Sequence, residues 1–209
     1  MKNLELQKCI LGPVYTNCYL LKNKETGELI IVDPADCPEK IEMKISRMNG
    51  KPVAILLTHG HFDHIGAVAG LKKKFQVPVY AMGAEAVVME DSTLNLSANW
   101  ASAFTVKCDH GLTDEEKFQV AGFDIVAYHT PGHTKGGACY YIEEEQVLFS
   151  GDTIFCHSVG RTDLPTGSMG ELRRSVQRML QILPDATRVM PGHECDTSIA
   201  DEKRYNPYS

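Results

Sequence analysis

The sequence predicts an α/β protein in which two sheets pack face to face with helices on the outside. Three observations carry that expectation. Both halves of the chain share a rhythm: several antiparallel-looking strands, then a strand, a loop and a helix. Strand-length runs such as Val53-Ala54-Ile55-Leu56-Leu57 are rich in branched apolar residues that need cover. Polar residues collect just past the strand ends, where an open α/β sheet places its sites. A chain of 209 residues can bury one sizeable core, so residues 1–209 are expected to form one domain.

Taken in order, Leu4 to Leu11 reads as a strand, broken by Gly12-Pro13. Cys18 to Lys22 and Glu28 to Val32 pair through a turn at Asn23 to Gly27. Pro38 opens a helix through Met48 that Asn49-Gly50 stops. The Val53 strand runs through a polar loop into a helix reaching about Phe75. Pro78 to Ala81 is a short strand and Ala84 to Met89 a short helix. From Glu90 to His110 periodicity fades, and Leu94, Leu96, Trp100 and Phe104 punctuate a polar segment. It is expected to pack over one end of the sheet, with a wall of a substrate cleft as the other reading. Lys117 to Val120 and Asp124 to His129 form a hairpin through Ala121-Gly122. Gly137 to Ile142 and Gln146 to Ser150 form another across Glu143 to Glu145. Leu172 to Ile182 is amphipathic, with Leu172, Val176, Met179 and Leu180 on one side. Thr187 to Met190 is the last strand, and Thr197 to Tyr205 a closing helix.

Composition narrows the function classes. The formal net charge is −6 and the longest basic run is Lys72-Lys73-Lys74, which argues against a nucleic-acid partner. That run suits the solvated C-terminal end of its helix. No apolar stretch approaches the length of a membrane span, so no membrane partner is expected. The start, Met1-Lys2-Asn3-Leu4-Glu5-Leu6, turns polar too early for a signal peptide. The seven cysteines form no C-x-x-C pair and read as free thiols of a reducing compartment. Cytoplasm is the expected location.

The densest chemistry lies in Thr58-His59-Gly60-His61-Phe62-Asp63-His64, four groups able to bind a metal within six residues. If extended geometry persists past Leu57, His59 and His61 point to the same side, and Asp63 and His64 swing in from the turn. Three later turns add His133, Asp152 and His193, each after an apolar strand. Five histidines and two aspartates without cysteine suit zinc, iron or manganese rather than copper(I) or a sulfur cluster. Seven ligands exceed one tetrahedral zinc and suit two ions sharing a carboxylate.

His59-Gly60-His61-Phe62-Asp63-His64 resembles the H-x-H-x-D-H motif of the metallo-β-lactamase superfamily. Thr130-Pro131-Gly132-His133-Thr134, Gly151-Asp152-Thr153 and Pro191-Gly192-His193 resemble its later metal motifs, in order. The resemblance runs from about Asn17 to His193 and implies the four-layer αβ/βα sandwich. It implies that His59, His61 and His133 hold one metal, that Asp63, His64 and His193 hold the second, and that Asp152 bridges them. Asp63 and Asp152 are thus the carboxylates expected to serve catalysis. Asp152 stands where the true β-lactamases use cysteine, which turns the expectation away from antibiotic hydrolysis. Leu148 to Phe155, Ser158 to Pro165 and Asn206-Pro207-Tyr208 look like small glyoxalase II-type hydrolases. Larger glyoxalase II enzymes bind glutathione through a C-terminal helical domain, for which residues 1–209 hold no counterpart.

The resulting expectation is a metal-dependent hydrolase of thioesters, or of lactones and other esters, acting on a small molecule. A hydroxide bridging two divalent ions, zinc first, attacks the carbonyl, and the ions sit roughly 3.5 to 4 Å apart. Asp33 is expected to brace a ligand imidazole or cap the next helix. Arg161 is expected either to tie down its loop through Asp163 or to hold an acidic substrate group. His129 reads as structural, His110 as a surface residue, His157 as undecided, and Cys156 as a buried inert thiol. Two further readings stay open. One is a mononuclear iron persulfide dioxygenase using His59, His133 and Asp152. The other is a non-catalytic metal-binding module.

Overall fold

Strand alternation sorts the side chains of this chain onto two faces per sheet, and both faces are covered. The computed structural model of the protein describes residues 2–99 and 102–209. Trp100, expected among the apolar residues of the irregular segment, lies outside the described residues, as do Met1 and Ala101.

The first half builds β1 (Leu4–Leu11), β2 (Thr16–Asn23) and β3 (Glu28–Val32) as an antiparallel meander. Helix α1 (Pro38–Arg47) has proline in its first turn, where no N–H is needed, and crosses over to β4 (Lys51–Leu56), parallel to β3. Helices α2 (Phe62–Ile65) and α3 (Val68–Phe75) lead to β5 (Val79–Met82), also parallel. Short α4 (Ala86–Met89) follows, and β6 (His110–Leu112) closes the sheet in the order β1-β2-β3-β4-β5-β6. The second half builds β7 (Glu116–Val120), β8 (Phe123–His129), β9 (Ala138–Ile142) and β10 (Val147–Gly151), all antiparallel. Helix α5 (Met169–Ile182) returns to β11 (Arg188–Pro191), parallel to β10; β12 (Thr197–Ser198) and α6 (Ile199–Tyr205) end the chain.

Period-two alternation produces four layers. Leu20, Leu29, Ile31 and Ile55 face Ile41 and Ile45 of α1 and Val68 and Leu71 of α3. Their sequence neighbours Leu21, Ile30, Val32 and Leu56 face the other way, against Ile125, Tyr140, Val147 and Phe149 of the second sheet. Cys139, Tyr141 and Leu148 point outward again, onto Val176, Met179 and Leu180 of α5. The arrangement is the αβ/βα sandwich.

Two elements missing from the sequence reading are β6 and β12, three and two residues long, too short to show periodicity. The single helix expected up to Phe75 is split into α2 and α3 at Gly66-Ala67. Cys156 is half-exposed rather than buried, and its thiol contacts Cys195. Among the described residues, no helix is long and apolar enough to cross a membrane.

Candidate metal centre

Each candidate ligand sits where a strand runs out at one edge of the sandwich. Beyond β4 the chain bends at Thr58 and reaches His61, which occupies the N-cap position of α2 at φ −66, ψ 148. Asp63 and His64 then fall in the first turn of that helix. Asp152 follows the last residue of β10, and His193 comes two residues after β11. The turn carrying His133 is seated on the start of α5. Ser168 N–H donates to Gly132 O at 2.7 Å, and Ser175 Oγ donates to Pro131 O at 2.7 Å. Gly132 has φ 135, and a Cβ there would lie 2.1 Å from Leu172 N, so only glycine allows this seat.

All seven candidates come together. His59, His61 and His133 form one group whose ligand atoms lie within 4.8 Å of one another; Asp63, His64 and His193 form another; His59, His64 and Asp152 form a third that joins them. His61 Nδ1 lies 2.9 Å from His133 Nε2, and His64 Nε2 lies 3.3 Å from His193 Nε2. Asp152 stands between the groups, with Oδ1 3.4 Å from His64 Nε2 and Oδ2 3.4 Å from His133 Nε2.

The far side of most rings is held by the protein. His64 Nδ1 lies 3.0 Å from Asp33 Oδ2, His133 Nδ1 2.7 Å from Arg161 O, and His193 Nδ1 3.2 Å from Val14 O. Thr58 Oγ1 donates to Asp33 at 2.6 Å, so it is left to accept from His59 Nδ1 at 3.2 Å. These bonds hold the Nδ1 side of each of these rings and turn its Nε2 inward. His59 Nε2, His61 Nε2 and Asp152 Oδ1 are buried without a hydrogen-bond partner. Cations satisfy such atoms, and the His/Asp donor set fits two divalent ions.

Charge in the cluster is strongly biased. Burial, and then the neighbouring imidazoles, push His59 well down, and His61 to about 3 with His133 the next cause. Burial opposes the charged form of His64 too, yet Asp63, Asp152 and Asp33 lift it to about 10. Burial would raise Asp63, but His64 and His193 hold it below the usual carboxylate range.

One residue escaped the sequence reading. Glu85, fully buried, accepts from Gly60 N at 2.7 Å and from Gly136 N at 2.7 Å. It therefore ties the loop of His59 and His61 to the loop of His133, from behind the centre. Burial, opposed by bonds from Gly60, Thr134 and Gly136, lifts it from an ordinary 4.5 to about 7. No local signal in the sequence marks it, since both partners are distant in the chain.

The other candidates are placed as follows. Arg161 is exposed and forms two 2.7 Å bonds to Asp163, and its carbonyl steadies His133. His129 Nε2 reaches Lys135 O at 3.0 Å across its own turn. His110 stacks on Tyr80, ring centroids 4.5 Å apart, and His157 is exposed, packing on Tyr205. From the 90–110 segment, Leu96 and Asn99 reach the cleft over the centre.

Fold and site together define a metal-coordinating protein of the dinuclear-hydrolase type. The chain matches the family described as the metallo-beta-lactamase superfamily over residues 11–193, and it belongs to that superfamily. A solved B3 metallo-beta-lactamase, BLEG-1, is 40% identical with a TM-score of 0.92, covering 98% of this chain and 99% of its own. The structure of TTHA1623 in a di-iron-bound form is 36% identical with a TM-score of 0.86, covering 97% and 100%. The hydroxyacylglutathione hydrolase GloC of Haemophilus influenzae is 32% identical over 92% of each chain.

Proposed function

We propose that this protein is a thioester hydrolase of glyoxalase II-like chemistry that works with two divalent ions. The observation that carries the reading is the position of Asp152, one oxygen toward His64 and the other toward His133, both at 3.4 Å. In this reading His59, His61 and His133 hold one ion, Asp63, His64 and His193 the other, and Asp152 both. Two ions so held would supply a water ionised near neutral pH and an electrophilic contact for a carbonyl oxygen. The chain's own part is to orient that pair. Asp33, Thr58, Val14 O and Arg161 O hold the Nδ1 side of four rings, so each Nε2 is already aimed at the ion sites. A thiolate leaving group, whose thiol has a pKa of about 8 to 9, departs without a protein acid. The named activity of the Haemophilus relative supports the thioester; zinc is the proposed ion, and the di-iron relative keeps iron as its rival.

Metal analysis paired with a panel of thioesters, lactones and phosphoesters tests this. About two ions per chain with thioester turnover that a chelator abolishes is the expected result. Turnover surviving full metal removal, or one iron with oxygen uptake on a persulfide, overturns it. A second reading, β-lactam hydrolysis, is favoured by the 40% identical B3 enzyme, and a chromogenic cephalosporin in the same panel separates the two.

A further inference from the structure

The walls of the cleft carry more information than its floor. The cleft over the centre has a volume of about 820 Å³. Its lining is lopsided: Val14, Tyr15, Leu96, Phe155, Val159 and Leu164 are apolar or aromatic. Of the charged groups outside the candidate ligands, Arg161 is already matched by two bonds to Asp163, and Glu194 is an acid. Among the described lining residues, a carboxylate on a substrate would find no unmatched cation and would meet Glu194. A neutral apolar arm would instead remove apolar wall from water, worth about 25 cal/mol per Å².

The turn between β1 and β2 sharpens the case. Tyr15 holds a left-handed backbone, φ 61, which is costly for an aromatic residue, and its side chain is 73% exposed. Val14 beside it is 38% exposed, while its carbonyl accepts from His193 Nδ1 at 3.2 Å. The backbone of this turn thus braces a candidate ligand while its two side chains stand apolar and open at the mouth of the cleft.

We propose that the site takes thioesters whose acyl arm is uncharged and apolar, several carbons long, and that the Val14–Tyr15 turn is the wall against which that arm packs. This rests on the thioesterase reading above. In the reaction, water's oxygen bonds to the acyl carbon and the carbon–sulfur bond breaks. The products are a carboxylate, a thiol and one proton released to solvent.

The test is a series of S-acyl N-acetylcysteamines from acetyl to octanoyl, with succinyl as the charged counterpart of butanoyl, on metal-loaded full-length protein. The expected kcat/KM rises up to about fourfold per added methylene until the cleft is filled, and butanoyl exceeds succinyl at least tenfold. Tyr15→Asn removes the ring but keeps a residue tolerant of the left-handed backbone; it should cut the octanoyl-to-acetyl ratio about tenfold. A flat series, succinyl equal to butanoyl, or an unchanged ratio in the variant overturns the inference and leaves the hydrolase reading standing. Calorimetric titration of S-ethyl and S-octyl thioethers, which have no bond to hydrolyse, separates the two ideas. If no thioester turns over but the octyl analogue binds tighter and Tyr15→Asn erases the gain, the hydrolase reading falls and the apolar wall stands. Equal binding of the two thioethers with no turnover refutes both.

Discussion

The Asp33 carboxylate lies 3.0 Å from His64 Nδ1, at full burial, and it reaches a second candidate ligand through one intermediary. The same group accepts from Thr58 N at 2.8 Å and Thr58 Oγ1 at 2.6 Å, and Thr58 Oγ1 faces His59 Nδ1. One side chain at the end of β3 therefore steers an imidazole of each ligand group. Asp33→Asn should lower metal affinity about 10- to 100-fold. Competition with a chromophoric chelator reads this directly, and an affinity equal to wild type would count against the steering role.

Glu85 gives a pH signature. Its folded pKa, about 7, lies above its ordinary 4.5, so the folded state holds the proton more tightly. Its contribution is full below about 4.5 and is lost as pH rises through about 7, up to roughly 3 kcal/mol. Glu85→Gln cannot ionise, so metal-free variant and wild type should diverge in urea midpoint across that window. Parallel pH profiles would remove the assignment.

Gly136 leaves no room for a methyl group: a Cβ would lie 2.2 Å from Glu85 N. Gly136→Ala should cost about 1 to 3 kcal/mol in thermal or urea unfolding. Gly170, near the start of α5, has only Arg174 Nη1 at 3.7 Å, so Gly170→Ala should be neutral or stabilise by up to about 1 kcal/mol. Equal effects at the two positions would contradict the packing described.

Loading should be visible as stability. An ion that binds only the folded chain, present at about a thousandfold above its Kd, adds about 4 kcal/mol. Melting temperature should rise with free zinc and fall on chelation. A transition indifferent to both would mean that the seven side chains do not take up the ion.

Much of this was legible because it is local. β1 and β3 have the bounds read from the sequence, and the ligand candidates announce themselves by histidine density beside apolar strands. Asp33 was within reach as an acid at a strand end. Glu85 was not: its partners Gly60 and Gly136 are 25 and 51 residues away, and nothing near it in the chain encodes them. β6 and β12 exist only as partners of β5 and β11, so pairing, rather than any preference of their own residues, defines them. Tyr15 draws no reading from the sequence, because backbone handedness leaves no mark on composition.

His61 meets His133 across 72 residues of chain, and His64 meets His193 across 129. Both ligand groups draw on both halves of the polypeptide, so neither half completes a group by itself. The complete groups exist only where the two sheets have packed, so taking up the ions is coupled to completing the fold. A cell short of metal would then hold this protein at the lower stability of its empty form, and restoring the supply would raise it.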